Sequence, residues 1–362
     1  MSNRTLDRPK RITVSPLRYP GGKGLLYSRL RTIIRTNNLT SSVYVEPYAG
    51  GAGTGLGLLV SGQVERIAIN DIDPAVFAFW NAVVTQPDEF TALVNSVELS
   101  VDEWERQREV YLTGARDNHL QLGFVTFYLN RTNRSGVLNG GPIGGKDQNG
   151  NYKIDARFNR ESLAERIRLI ALHADRITVT NEDGLHVIKR YSYRDDAFIY
   201  ADPPYFEKAS SLYRNAFDKE DHEHLADCLN GAMRARWLLT YDSVPQVGEL
   251  YRDRRQRRFS LNYSAHRVTK AQEIMVFSDT LTIPADIEAE HTEHEVSNWS
   301  PAHARQCGHP ELSERWEREH PRWPSVHTVR NQCGSLKAAV TKATENTSCI
   351  DGDADLSEKR KP

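Results

Sequence analysis

Asp202-Pro203-Pro204-Tyr205 is the stretch of this chain with the most chemistry in it. Two successive prolines fix φ and remove two N–H donors, so the loop offers acceptors: the Asp202 carboxylate and the Pro203 carbonyl. An exocyclic amine has two protons to give. Accepting both leaves the nitrogen lone pair less conjugated with its ring and aims it at an electrophile. Tyr205 adds a flat face on which a base can stack. A rigid structural turn is the plainer reading. Position argues against it, because the tetrapeptide follows Ala197-Phe198-Ile199-Tyr200, an apolar run that reads as a buried strand.

Two further motifs suit a nucleotide-like ligand. The strand pattern Val43–Glu46 leads into Pro47-Tyr48-Ala49-Gly50-Gly51-Ala52-Gly53-Thr54-Gly55 and then an apolar helix. Glycines there let the chain turn sharply and bring its backbone against a ligand. A second strand ends at Asn70-Asp71-Ile72-Asp73, and Asp71 lies 21 residues after Gly50, where a carboxylate can accept ribose hydroxyls. Sites for NAD, FAD and S-adenosylmethionine all use a glycine turn followed by an acid. The third motif, Arg18-Tyr19-Pro20-Gly21-Gly22-Lys23, heads a helix expected to run to about Arg35.

The elements that must position these motifs alternate. Short apolar runs at 43–46, 66–69, 177–179, 197–200, 237–240 and 273–277 read as strands, and stretches such as 163–172 and 222–234 read as helices between them. That alternation predicts an α/β fold with a mostly parallel, doubly wound sheet. Between about 81 and 176 the pattern changes: helical stretches at 104–112 and 120–130 run into RTNRSGVLNGGPIGGKDQNGN, rich in Gly and Asn. The expected division is a catalytic domain from 1–80 and 177–284, an inserted domain over 81–176, and a polar tail over 285–362. The tail carries 10 Lys/Arg against 14 Asp/Glu and neither Phe nor Tyr, a composition expected to stay disordered.

Composition excludes several classes. Lys+Arg 47 against Asp+Glu 48 gives no global basic field. The longest apolar stretch, Ala75–Val84, falls short of the ~20 residues that span a bilayer, so no membrane role is expected. The N-terminus lacks the apolar core of a secretory signal. The cysteines, at 228, 307, 333 and 349, form neither a ligand-like pair nor a disulfide framework, and no metal is expected. These features predict a reduced, cytoplasmic protein.

With RYPGGK, EPYAGGAGTG, NDID, FYLNRTNRSG and DPPY in this order over about residues 15–280, the chain resembles the Dam-like, alpha-group S-adenosylmethionine-dependent adenine-N6 DNA methyltransferases. The resemblance implies a class I methyltransferase fold, a Rossmann-like sheet with a terminal antiparallel hairpin, and a small, mostly helical inserted target-recognition domain. It implies S-adenosyl-L-methionine as cofactor and double-stranded DNA as substrate. Tyr19, Lys23, Asp71 and Asp202 match positions that bind the cofactor. Gly50, Gly51 and Gly53 match the turn on its methionine side, and Asp183 matches an acid near its adenine. Tyr19 stands where well-known members carry Trp, and Tyr48 where Phe is commoner; both swaps keep an aromatic face. Asp202, Pro203 and Tyr205 become the catalytic set.

In the insert, Arg131, Asn133, Arg134, Ser135 and Asn139 are candidates to contact DNA, since Arg and Asn read guanine and adenine edges bidentately; a solvated polar hairpin is the alternative. Lys146, Lys153 and the arginines at 252, 254, 255, 257 and 258 are candidates for phosphate contact or a solvated face. Tyr263 could meet the flipped base or pack in the core. The expected activity is methylation of the N6 amine of a flipped adenine in double-stranded DNA by a monomer, with a cognate restriction nuclease as a possible partner. Alternatives are RNA adenine or DNA cytosine-N4 methylation, an idle DNA-binding regulator on the same fold, and a Rossmann oxidoreductase.

Overall fold

Short strands rich in β-branched and aromatic residues, the central ones buried on both faces, build the sheet that carries the site. The computed structural model describes residues 14–18, 24–114, 118–206, 217–264, 268–285 and 287. Seven strands among them make one sheet in the order β3-β2-β1-β4-β5-β7-β6. They are β1 (Val43–Glu46), β2 (Arg66–Asn70), β3 (Ile177–Thr180), β4 (Ala197–Ala201), β5 (Arg236–Asp242), β6 (Arg255–Ser264) and β7 (Val268–Phe277). β3, β2, β1, β4 and β5 run parallel, whereas β7 lies antiparallel between β5 and β6. All five residues of β4 are buried, as a central parallel strand requires. This is the doubly wound sheet with a terminal antiparallel hairpin.

The chain runs outward from β1 to β2 and β3, then returns to lay β4 beside β1, with Val45 opposite Ile199. Connections leave β1 and β4 in opposite directions, so their carboxyl ends flank the crevice in which open α/β sheets bind ligands. The glycine turn leaves β1 there and Asp202 leaves β4.

Helices α1 (Gly24–Thr36), α2 (Gly53–Val60), α3 (Pro74–Thr85), α8 (Gly184–Ser192), α9 (Lys219–Asn230) and α10 (Pro245–Leu250) accompany the strands. Sequence marks several of their starts: Asp73 caps α3 with Pro74 at its first position, and Asp218 and Asp221 form a reciprocal capping box on α9. The helix expected over 222–234 ends at Asn230, and Gly231 leads into β5.

Between β2 and β3 stand α4 (Pro87–Ser96), α5 (Val101–Thr113), α6 (His119–Thr132) and α7 (Arg160–Ala171). An insert beginning at 81 would start inside α3. Phe79 of α3 meets Phe90 of α4 and Phe127 of α6 with ring centroids 5.6 and 6.0 Å apart, and Phe158 lies 5.4 Å from Phe127. The expected tail from 288 onward, Tyr19, Lys23 and the tail cysteines lie outside the described residues.

The α3/α6 crossing depends on one missing side chain. A Cβ on Gly123 would fall 2.5 Å from the Ala78 carbonyl oxygen, so the helices would have to separate. Gly123→Ala is expected to lose about 1–3 kcal/mol of stability, read from urea unfolding. An unchanged midpoint would show that the crossing can relax.

Candidate active site at the carboxyl edge of the sheet

The turn after β1 is held from several sides. Gly50 (φ 47°) and Ala52 (φ 44°) adopt left-handed backbone, and Ala52 forms the N-cap of α2. For Ala that conformation costs roughly 1–2 kcal/mol. Offsetting contacts surround it: the Trp80 indole N–H donates to the Gly50 carbonyl at 2.8 Å, and the Ser15 hydroxyl donates to that of Gly51 at 2.6 Å. The Gly50 N–H itself donates to Asp71 Oδ2 at 2.9 Å, while the Asp73 N–H donates to Oδ1 at 2.9 Å.

Burial pushes the Asp71 carboxyl up to about 6, with the nearby Asp73 charge adding to the rise and the two N–H donors opposing it. A folded value above the unfolded one, about 3.9, means this group contributes stability fully below about pH 4. That contribution is lost as pH rises through 6. Asp71 therefore sits ionised at neutral pH at a cost to the fold.

Asn70, fully buried, joins three loops. Its Nδ2 donates to the carbonyls of Pro47 and Glu182, both at 2.9 Å, and its Oδ1 accepts from the Thr180 hydroxyl (2.8 Å) and the Glu182 N–H (2.9 Å). Asn181 Nδ2 donates to the Asp71 carbonyl at 2.7 Å. Asp183 follows and caps α8, accepting the Leu185 N–H at 2.7 Å. Gly184 is obligatory beside it, since a Cβ would fall 2.3 Å from the Tyr48 ring. Sequence reading missed Asn70, although it begins NDID; a polar side chain ending an apolar strand was the available signal.

After β4, the Thr240 hydroxyl donates to Asp202 Oδ1 at 2.9 Å, and Tyr200 and Thr240 hydroxyls lie 2.8 Å apart. An ionised carboxylate can only accept, so Thr240 spends its proton on Asp202 and Tyr200 donates to Thr240. Tyr205 OH donates to Glu273 Oε1 at 2.6 Å, and the Phe206 N–H to Asp242 Oδ1 at 2.9 Å. Behind the loop, His222 Nδ1 is hydrogen-bonded to the Tyr241 hydroxyl and its ring lies 4.5 Å from that of Phe206. Burial lowers the His222 pKa. Thr240, Asp242 and Glu273 were also missed, being single polar residues within strand patterns.

Asp71, Asp183 and Asp202 thus stand at the carboxyl ends of β2, β3 and β4, beside the glycine turn of β1. Carboxylates and backbone amides suit a ligand that carries cationic centres, hydroxyls and an amine, and S-adenosylmethionine has a sulfonium, an ammonium and ribose hydroxyls. The residues present fit that group. No group of three or more His, Cys, Asp or Glu among the described residues is placed to hold a metal ion. No described helix is long and apolar enough to cross a membrane.

The insert divides the proposed DNA contacts in two. Asn133 is 0% exposed: its Oδ1 accepts the Trp104 indole N–H at 2.6 Å, and its Nδ2 donates to the carbonyls of Val137 (2.8 Å) and Leu138 (2.9 Å). It cannot read a base from there. Arg131 is half-buried against the chain before Tyr19, its Nη1 3.5 Å from the Pro16 carbonyl. Burial, then the charges of Arg18, Arg166 and Arg157, push its guanidinium down to about 9. Arg134, Ser135 and Asn139 do face solvent.

The loop is no loose finger. Gln148 Nε2 bonds the carbonyls of Ile143 (2.9 Å) and Gly145 (2.5 Å), and its Oε1 accepts the Ile154 N–H at 2.9 Å. Lys146 pairs with Glu105, and Lys153 donates to the Gln148 carbonyl. Much of the arginine run is also engaged: Arg252 with Glu249, Arg254 with Asp279, and Arg255 with the carbonyls of Ser278 and Leu281. Nothing is described of the Tyr263 side chain.

A family model, D12 class N6 adenine-specific DNA methyltransferase, matches residues 19–273. No curated protein matches. Similar solved structures include a SAM-dependent methyltransferase from Agrobacterium tumefaciens (12% identity, TM-score 0.34, covering 70% of this chain and 61% of that one). This chain therefore spans about three-fifths of that protein's length. The rRNA methyltransferase aviRa from Streptomyces viridochromogenes is 15% identical with a TM-score of 0.32, covering 69% of this chain and 84% of that one. The m1A22 tRNA methyltransferase TrmK from B. subtilis is 10% identical with a TM-score of 0.30, covering 89% and 94%.

The insert geometry separates building residues from exposed ones. Asn133→Ala orphans the Trp104 N–H and two carbonyls and is expected to lose about 3 kcal/mol or more, at 1–3 kcal/mol per buried group left unpaired. Arg134→Ala and Asn139→Ala should keep the wild-type melting temperature within about 2 °C, as exposed positions do. Thermal melts of the three variants check this, and equal losses would refute the division.

Proposed function

The chain belongs to the D12 class N6 adenine-specific DNA methyltransferase family, and on that premise we propose that its glycine turn and strand-end carboxylates hold S-adenosylmethionine while the loop Asp202–Tyr205 holds a flipped adenine. The reaction is transfer of the S-adenosylmethionine methyl group to the N6 amine of adenine in DNA. The observation that supports this use of the residues is the adjacency of the two motifs. The glycine turn and the acceptor-rich loop leave neighbouring strands at the switch point.

Asp71 accepts the ribose hydroxyls, Asp183 lies toward the cofactor adenine, and Gly50, Gly51 and Gly53 line the methionine side. Tyr19 and Lys23 contribute from the segment before α1. When bound, S-adenosylmethionine supplies an electrophilic methyl on sulfonium. Asp202 and the Pro203 carbonyl accept the two N6 protons and orient the lone pair, while Tyr205 stacks on the base. Asp202 need not be a strong base, because the proton can leave once the amine is cationic. An adenine paired within a duplex cannot present its amine this way, so it is flipped out.

Arg134, Ser135 and Asn139 read the target sequence from the loop after α6, while Arg131 and Asn133 build that loop. Helices α4–α7 with this loop serve as the target-recognition part, and residues 285–362 are dispensable for chemistry. Both motifs come from one chain, so a monomer suffices. The work is cytoplasmic, and a restriction nuclease reading the same site is the natural partner.

Tritiated S-adenosylmethionine and duplex DNA, followed by digestion to nucleosides, tests the reading. Label is expected in N6-methyladenine; label in N4-methylcytosine, or only in RNA, would overturn it. Asp202→Ala, folded, is expected to slow transfer at least about a hundredfold, ~2.7 kcal/mol of barrier. Asp71 adds a pH test. Because its carboxyl sits at about 6, cofactor affinity by calorimetry is expected to be highest above that pH and to fall severalfold from pH 7.5 to 5. Asp71→Asn should bind weakly with a flat profile, and a wild-type profile flat over that range would remove the ribose role.

A further inference from the structure

β5 and β7 pair antiparallel with Asp242 directly opposite Glu273. Residues directly opposite share a face, and like charges placed so are ordinarily destabilising. Glu273 is also 1% exposed, which adds the desolvation cost of a buried carboxylate. Folding alone would select neither feature. Both acids, however, hold the loop that carries the reaction: Glu273 takes the Tyr205 hydroxyl at 2.6 Å and Asp242 the Phe206 N–H at 2.9 Å. Thr240, two residues before Asp242 and so on the same face, takes Asp202 at 2.9 Å.

We propose that this face of the β5/β7 ladder is a three-point cradle for the catalytic loop, in which Glu273 is a positioning residue that acts through Tyr205. The inference rests on the methyltransferase reading above and names what sets the depth and tilt of the stacking ring. A hydroxyl donated to a carboxylate at 2.6 Å is a short, charge-assisted bond. It fixes the phenol and shifts electron density into its ring. The adenine stacked there gains positive charge as N6 bonds to the methyl carbon, and an electron-rich face favours that charge. The contribution therefore grows along the reaction coordinate, so it belongs in kcat rather than in DNA binding.

Glu273→Gln keeps an acceptor oxygen of the same shape but removes the charge, and Tyr205→Phe keeps the ring but removes the hydroxyl. With the full chain, unmethylated duplex DNA and tritiated S-adenosylmethionine, each is expected to lower kcat about tenfold, with the KM for DNA within about twofold. Cofactor affinity by calorimetry should not move. The double variant should be no slower than either single one, since both break the same contact. Multiplied losses of about a hundredfold, or a normal kcat in either folded single variant, would overturn the proposal. Should Glu273→Gln fail to fold, Tyr205→Phe decides alone, and normal turnover in it refutes the cradle. A wild-type protein that labels no adenine would instead refute the methyltransferase reading.

Discussion

One buried carboxamide holds the carboxyl edge of the sheet together. Asn70 ends β2, and its two donors and two acceptor sites are all occupied by the loops that follow β1 and β3 and by the end of β3. Strands alone fix only where each loop begins. The amide fixes where the loops go next, because Pro47 and Glu182 each surrender a carbonyl to the same nitrogen. Asp71, whose carboxylate accepts the Gly50 and Asp73 N–H groups, and Asp183, which caps α8, stand in the loops that this amide joins. A residue of similar size without the amide would leave at least three polar groups unpaired, at roughly 1–3 kcal/mol each.

The rest of the edge is held at some expense to stability. Asp71 is charged where burial disfavours charge, Ala52 sits in left-handed backbone, and Glu46 is buried with the Tyr44 hydroxyl and the Gly55 N–H on one oxygen, each at 3.0 Å. Acceptors that are already desolvated and aimed need no reorganisation when a cationic ligand arrives, which is what electrostatic preorganisation requires. The hydrophobic supply that offsets this lies elsewhere: in the aromatic stack between α3, α4 and α6, and in the apolar run of β4.

Much of this was legible in the sequence because the strands are short, apolar and bounded by turn residues. The pattern located five of the seven strands within two residues at each end and the second half of β7, which begins five residues earlier, at Val268. DPPY and the glycine turn were legible for a different reason: proline and glycine act on their own backbone, so their effect needs no partner. Thr240, Asp242 and Glu273 had no such signal. Each acts across the sheet, on a loop some 36 to 68 residues away, and a lone polar residue in a strand looks the same whether it faces solvent or a catalytic loop. The arginines of β6 were ambiguous likewise, since a guanidinium that caps carbonyls and one that meets phosphate have the same local sequence.

Asn130, Arg131 and Asn133 carry the same lesson further. FYLNRTNRSG lies in the insert, yet it ranks among the motifs by which the chain is recognised, which suggests base reading. Asn130 Oδ1 accepts the Arg18 N–H at 2.7 Å, and its Nδ2 donates to the carbonyls of Arg18 and Gly136, both at 2.9 Å. Arg18 Nη1 in turn donates to the Asn133 carbonyl at 2.9 Å. A Cβ on Gly136 would fall 2.7 Å from the Arg18 carbonyl, so the glycine too is demanded by this contact. The motif therefore fastens the end of α6 to the residue just ahead of the RYPGGK tyrosine. Exposed Arg134 and Asn139 contribute no side chain to that joint. Within FYLNRTNRSG, Asn130, Asn133 and Gly136 thus serve the anchoring, while Arg134 and Ser135 of the same motif stay exposed.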